Sequence, residues 1–213
     1  MIGPVSFLLL GKVSKDSPAG FKTLDLLDTL LPVYVDLLTK LAEAGAEWIQ
    51  LDEPCVVFDL PTSYKAFFTK AYEAYVSLKF LSDLQYLSNS IIYIFSLAKT
   101  NIKILVATYF GRLAENLDFL TELPVAGLHL DLIRAPEELE RALTKLPASM
   151  TLSLGVINGR NIWKADLAAA IATVNKAVAK LGKDRVMVAP SCSLLHSPHS
   201  LESEKKMDAE IKV

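Results

Sequence analysis

The chain has 213 residues, enough for one domain with a sizeable core. Its 22 basic and 24 acidic residues leave a formal charge of −2, which excludes a bulk electrostatic drive toward nucleic acid or an anionic membrane. Hydrophobic residues make up 52% of the chain and the mean hydropathy is +0.34, apolar enough for strands buried on both faces. No stretch reaches the ~18 uninterrupted apolar residues of a membrane span. Gly11 and Lys12 end the first apolar run too soon for a signal peptide. Cys55 and Cys192, far apart, make no disulfide framework, so a reducing, cytoplasmic setting is expected.

In chain order, Val5–Leu10 reads as the first strand, a continuous apolar run. Leu24 to Ala44 repeats apolar residues at helical spacing, with Thr23 as a candidate cap and Gly45 as the stop. Trp48–Leu51 is the second strand. Residues 75–96, rich in serine and aromatics, lengthen the next connection well beyond the others. They read as an insertion of the lid or disordered kind, or as a continued helix. Ile102–Ala107 is the third strand and Glu115 to Leu120 a short helix. Gly127–Leu132 is the fourth strand. Pro136 to Leu143 forms a helix with proline in its first turn. Thr151–Val156 is the fifth strand, and alanine-rich Ala165 to Leu181 is a helix ending at Gly182. Arg185–Ala189 is the sixth strand.

Strands alternating with helices mean βαβ units and a parallel sheet. About six such units are too few for a complete (β/α)8 barrel, which needs about 250 residues. The expected fold class is α/β, an incomplete (β/α)8 TIM-type barrel in a single partial domain over 1–213. A complete six-stranded open sheet is the rival. In the incomplete barrel, Val5–Leu10 would be an exposed parallel edge.

In parallel βα folds, ligands bind beyond the strand C-terminal ends. Asp52-Glu53-Pro54 follows the second strand and Thr108-Tyr109-Phe110 the third. Asp131 ends the fourth, with Arg134 close behind. The fifth runs into Asn158-Gly159-Arg160-Asn161-Ile162-Trp163, and the sixth into Pro190-Ser191-Cys192-Ser193-Leu194-Leu195-His196. Asp52, Glu53, Thr108, Tyr109, Asp131, Asn158, Arg160, Ser191, Cys192 and His196 are therefore candidate ligand-facing residues on one rim. Each also has a plainer reading. Asp52 or Glu53 could pair with Arg160 or cap a helix, and Asp131 could cap one too. Cys192 could be a small buried apolar group, and Cys-x-x-x-His alone is a weak metal signal. Cys55 reads as packing, His129 as a satisfied core histidine and His199 as a solvated loop residue. No G-x-G-x-x-G or Walker lysine is present.

Six strings, Ile2-Gly3-Pro4-Val5-Ser6-Phe7-Leu8, Trp48-Ile49-Gln50-Leu51-Asp52-Glu53-Pro54, Ala107-Thr108-Tyr109-Phe110, Gly127-Leu128-His129-Leu130-Asp131-Leu132, Ile157 to Trp163 and Ser191 to His196, together resemble cobalamin-independent methionine synthase (5-methyltetrahydropteroyltriglutamate–homocysteine methyltransferase). More narrowly, they resemble the later part of that family's N-terminal barrel. The resemblance implies a two-barrel enzyme of methionine biosynthesis that moves a methyl group from 5-methyltetrahydrofolate polyglutamate to homocysteine without cobalamin. It implies a zinc site in a C-terminal catalytic barrel, which would be this chain's partner in the same polypeptide. The segment here would be structural and folate-side, and inactive alone. Of Thr108, Tyr109, Asp131 and Cys192, at strand ends where the sister barrel places ligands, only the last two could ligate zinc well, too few for a closed site. No catalytic or metal residue is therefore expected in this chain. The residues 75–96 depart from the family pattern, as a lineage-specific insertion or a retained intron. Two alternatives stand beside this reading. One is a non-catalytic partial barrel that binds folate or a partner. The other is a different enzyme of the same barrel superfamily, such as a uroporphyrinogen decarboxylase-like protein.

Overall fold

A computed structural model describes residues 1–80, 102–195 and 197–211. Its elements are α1 (Pro4–Leu10), α2 (Leu27–Glu43), β1 (Trp48–Asp52), α3 (Thr62–Phe80), β2 (Lys103–Ala107), α4 (Asn116–Glu122), β3 (Gly127–Asp131), α5 (Glu138–Lys145), β4 (Thr151–Ile157), α6 (Leu167–Leu181) and β5 (Val186–Pro190). All five strands are parallel and lie in the order β1-β2-β3-β4-β5. Sequential order without a reversal means that right-handed crossovers wind one way and put the helices on one face. That is the winding of a barrel rather than of a doubly wound sheet, and β5 does not close onto β1. The fold is α/β, an incomplete (β/α)8-type barrel.

Register explains how the two faces differ. Ile49, Ile104, Leu51, Val106, Leu128, Leu152, Leu130 and Leu154 line up across the sheet and belong to the main apolar core with the helices. The alternate row carries Asp52, Ala107, His129, Ser153 and Met187 in neighbouring positions. The interior row is therefore polar and small where the helix-facing row is aliphatic. Both faces of β3 are buried along its whole length.

Val5–Leu10 is not a strand. Pro4–Leu10 forms α1, so the sheet has five strands among the described residues rather than six. Proline at the first helical position has its φ already set for a helix. Val5 and Leu8 are buried while Phe7 and Leu10 are half exposed, the spacing of an amphipathic turn rather than of a strand. Residues 1–3 carry the only strand-like pairing here. Ile2 bridges Asp52 in parallel, Asp52 N donates to Met1 O at 2.8 Å, and Gly3 N donates to Asp52 O at 2.7 Å. The exposed edge expected at Val5–Leu10 lies instead at β5, where Val188 is 61% exposed.

Other boundaries move by one to three residues. Thr23 opens a 3-10 turn over Thr23–Leu26 and makes no side-chain cap, and α2 begins behind it at Leu27. Asp166 caps α6 by accepting from Ala169 N at 3.0 Å. Arg185 precedes β5, its guanidinium donating to Met150 O at 2.9 and 3.1 Å. Helix α3 was expected only as the continued-helix reading of residues 75–96, and its start at Thr62 was not anticipated. Residues 75–80 of the expected insertion are its last turns, and 81–96 lie outside the described residues.

Candidate functional site

The parallel register puts the ends of all five strands on one edge of the sheet, with Asp52 beside Ala107, Asp131 beside Gly155, and Ile157 beside Pro190. Adjacent residues in the chain nevertheless do different things there.

Glu53 turns inward and is fully buried. Its carboxylate accepts from Ser6 N at 2.7 Å, Val5 N at 3.3 Å and the Tyr72 hydroxyl at 3.2 Å. It thus satisfies first-turn amides of α1 and sits at the positive end of that helix. Gly3 is required by this approach, since a Cβ there would lie 2.2 Å from Glu53 Oε1. Burial pushes the Glu53 carboxyl up from 4.5 to about 7, against the hydrogen bonds from Ser6, Val5 and Tyr72 that pull it down. Three phenols surround it. Burial, then the Glu53 charge, raises Tyr34 to about 12 and raises Tyr72 and Tyr75 well above the ordinary phenol value. The Tyr34 hydroxyl donates to Ile2 O at 2.9 Å, and the Tyr75 hydroxyl is buried without a partner. Cys55 packs against the same cluster, its backbone N–H donating to Ser6 Oγ at 3.1 Å, and burial raises its thiol.

Asp52 points the other way. It accepts from Gln50 Nε2 at 2.6 Å and bonds the Tyr109 hydroxyl, whose pKa is raised by burial and then by the Asp52 charge. Thr108 is spent on the sheet, donating to His129 O at 2.7 Å. Asp131, 3% exposed, accepts three backbone amides: Ile133 at 3.1 Å, Arg134 at 3.0 Å and Phe110 at 3.0 Å. That fixes the turn after β3 and the loop after β2 together. Phe110 packs edge-on to Tyr109 at 4.5 Å, and the Arg160 guanidinium lies 4.9 Å above the Phe110 ring.

The β4 and β5 ends interlock through backbone. Gly159 N donates to Ser191 Oγ at 3.2 Å, and the Asn158 side chain accepts Arg160 N at 2.9 Å. A Cβ on Gly159 would lie 2.8 Å from Cys192 O and 3.0 Å from its sulfur. His129 Nδ1 lies 2.9 Å from Ser153 Oγ, and Nε2 lies 3.2 Å from Ser191 O. A carbonyl can only accept, so Nε2 carries a proton, and burial lowers the pKa of the ring. Cys192 is buried, and among the described residues the only hydrogen bond of its thiol is a donation to Ser193 O at 3.7 Å. His199 is exposed, and His196 lies outside the described residues.

Asp52, Tyr109, Asn158 and Arg160 keep access to solvent, whereas Glu53, Thr108, Asp131, Ser191 and Cys192 are buried. The donor set does not fit zinc. Asp131 is saturated by amides, Glu53 is sealed under α1, and among the described residues no three His, Cys, Asp or Glu side chains stand close enough to hold a metal. Sequence reasoning missed Phe110 and the tyrosine cage. Tyr34, Tyr72 and Tyr75 share helical spacing with core residues, and nothing local distinguishes them.

Residues 1–182 match the family described as "Cobalamin-independent synthase, N-terminal domain". Enzymes named 5-methyltetrahydropteroyltriglutamate–homocysteine methyltransferase are similar along the whole chain. Those of Nitrobacter winogradskyi and Saccharomyces cerevisiae are each 46% identical over 212 residues. The chain spans only 24% and 25% of their respective lengths. Among solved structures, a B12-independent methionine synthase from Shewanella sp. W3-18-1 superposes with a TM-score of 0.60 at 14% identity, over 93% of this chain and 55% of that one. A putative vitamin-B12 independent methionine synthase from Listeria monocytogenes gives 0.50 at 17% identity, over 80% and 49%. Those two likenesses speak for the fold, and the family match over most of the chain carries the assignment: the chain belongs to the N-terminal-domain family of the cobalamin-independent synthases.

Proposed function

We propose that this chain acts as the later part of the N-terminal barrel of a methyltransferase of methionine biosynthesis, and that it is inactive by itself. The observation that carries this reading is its likeness, over its full length, to enzymes about four times as long that are named for transferring a methyl group from 5-methyltetrahydropteroyltriglutamate to homocysteine. In this reading 1–213 is one partial domain with an insertion near 75–96, working in the cytoplasm beside a C-terminal catalytic barrel of the same polypeptide. Methyl transfer needs a homocysteine thiolate, which zinc coordination provides, and a proton for the tetrahydrofolate leaving group. Zinc in that reading belongs to the C-terminal barrel.

The contribution of this chain is positional. Asp52, Tyr109, Asn158 and Arg160 face the folate side from the strand ends. Thr108, Asp131, Ser191 and Cys192 hold the loops that carry them, and Glu53 locks α1 against β1. His196 is assigned to the same rim by the sequence pattern. The isolated chain, incubated with zinc, homocysteine and 5-methyltetrahydropteroyltriglutamate, should form no methionine and retain no stoichiometric zinc after gel filtration. One tightly bound zinc per chain, lost in Cys192→Ser, would overturn this division of labour.

A further inference from the structure

A strained aromatic and an exposed cation meet at the open end of the sheet, and the aromatic, edge-on to Tyr109, leaves about half its surface to solvent. Phe110 has φ +79°, a region that L side chains avoid and glycine enters freely. The conformation is held by Asp131, buried and bonded to Phe110 N at 3.0 Å. Its result is a ring left 47% exposed at the strand ends. Strain of this kind persists where the surroundings over-determine it, and it collects at ligand clamps. Above the ring lies the Arg160 guanidinium, 4.9 Å from the centroid. A cation over an aromatic face uses none of its N–H donors to be there. Among the described residues no carboxylate or carbonyl takes those donors. The backbone of Arg160 is fixed from below by the Asn158 side chain, so the loop is set while the charged head stays open.

We propose that Arg160, presented on the Phe110 ring, is the docking point for a ligand bearing a single carboxylate at the mouth of the sheet. A guanidinium fork matches a carboxylate with two parallel hydrogen bonds. Asp52, bonded to Tyr109, and Asp131, bonded to Phe110, stand on the adjoining residues. A doubly charged phosphate would be repelled more strongly by the two acids than a singly charged carboxylate, which is the better match. The free face of Phe110 and the 69%-exposed Trp163 of the Arg160 loop offer apolar area for the organic body of the ligand. The proposal stands on this geometry and holds whether or not the chain takes part in methyl transfer.

The test uses the full chain, with benzoate as the probe, neutral benzamide and inorganic phosphate as comparisons, and phenylglyoxal as the arginine reagent. Peptide mapping should show benzoate slowing the modification of Arg160 relative to the exposed Arg112 and Arg134, with no selective protection by benzamide or phosphate. By titration, Arg160→Met should weaken benzoate binding by about tenfold, and Arg160→Lys by a smaller factor, because the charge remains and the fork is lost. Phe110→Gly, which relieves the backbone, should weaken binding without lowering the melting temperature. Protection of Arg160 no greater than that of Arg112, equal protection by phosphate, or unchanged benzoate affinity in Arg160→Met would each overturn the proposal. A lower melting temperature in Phe110→Gly would also count against it, by showing the ring to be a packing residue.

Discussion

At the β1 end of the sheet, α2 buries Leu27, Leu31, Tyr34, Val35, Leu38 and Thr39, and Glu53 ties α1 to the strand through amides and a phenol. At the β5 end, α6 buries only Ala177, Leu167 and Ile171 are more than half exposed, and no residue of β5 is fully buried. The same βα unit is thus built twice, once with a closed interior and once with an open one. Hydrophobic stabilisation scales with apolar area removed from water, so the β1–β4 region carries the stability and the β5–α6 edge adds little. The solvent-accessible ligand candidates Asp52, Tyr109, Asn158 and Arg160 are spread along the rim across this contrast, from the closed end toward the open one.

The largest expected effect that separates the two regions is a pair of truncations. Leu128→Ala, at a fully buried position of β3, should destabilise by about 3 kcal/mol, whereas Val188→Ala in β5 should change stability by less than about 0.5 kcal/mol. Urea melts of the two variants check this, and equal losses would erase the distinction. Next is the pH dependence of the closed end. The Glu53 carboxyl titrates near 7 in the fold against 4.5 when exposed, so the folded state binds its proton more tightly. The stabilisation is fully present below about pH 4.5 and is lost as pH rises through 7, on the order of 3 kcal/mol at most. Burial lowers the His129 pKa and acts with the opposite sign, its contribution lost as pH falls through the folded value. The difference between wild type and Glu53→Gln isolates Glu53: the variant should lack the decline between pH 4.5 and 7. A variant that kept the same slope would place the titration elsewhere. A smaller effect is expected at Asn116, whose amide donates to Val56 O at 2.7 Å and Phe58 O at 3.2 Å, holding the loop after β1 to α4. Asn116→Ala should cost about 1–2 kcal/mol by chemical denaturation, because it strands buried carbonyls. Amide exchange sharpens the same contrast without substitution, with β3 exchanging more slowly than β5.

Much of this was legible in the sequence, for identifiable reasons. Ile102–Ala107, Gly127–Leu132 and Thr151–Val156 are segments rich in Leu, Ile and Val, too short for helices and bounded by loop residues, and they form strands β2, β3 and β4 with small shifts. Pro4 to Leu10 misled because its continuous apolar run imitates a buried strand, while the group that seats it as a helix, Glu53, lies 47 residues from Ser6. Asp52 and Glu53 were indistinguishable as neighbouring acids. One side chain ends in a fully buried cage and the other on Tyr109, a difference set by the pleat and by where α1 sits. The stacking of Arg160 on Phe110 depends on a backbone angle at Phe110 that no composition or spacing signals.

The central claim is that this chain supplies a barrel segment to a catalyst whose reacting groups lie elsewhere. It is tested most directly by exchanging the matching segment of the Saccharomyces cerevisiae relative, 46% identical, for this chain and measuring methionine formation. The account predicts turnover by the chimera, within about tenfold of the parent, and none by the 213-residue chain alone. Methionine formed by the isolated chain, or a folded chimera without activity, would contradict it.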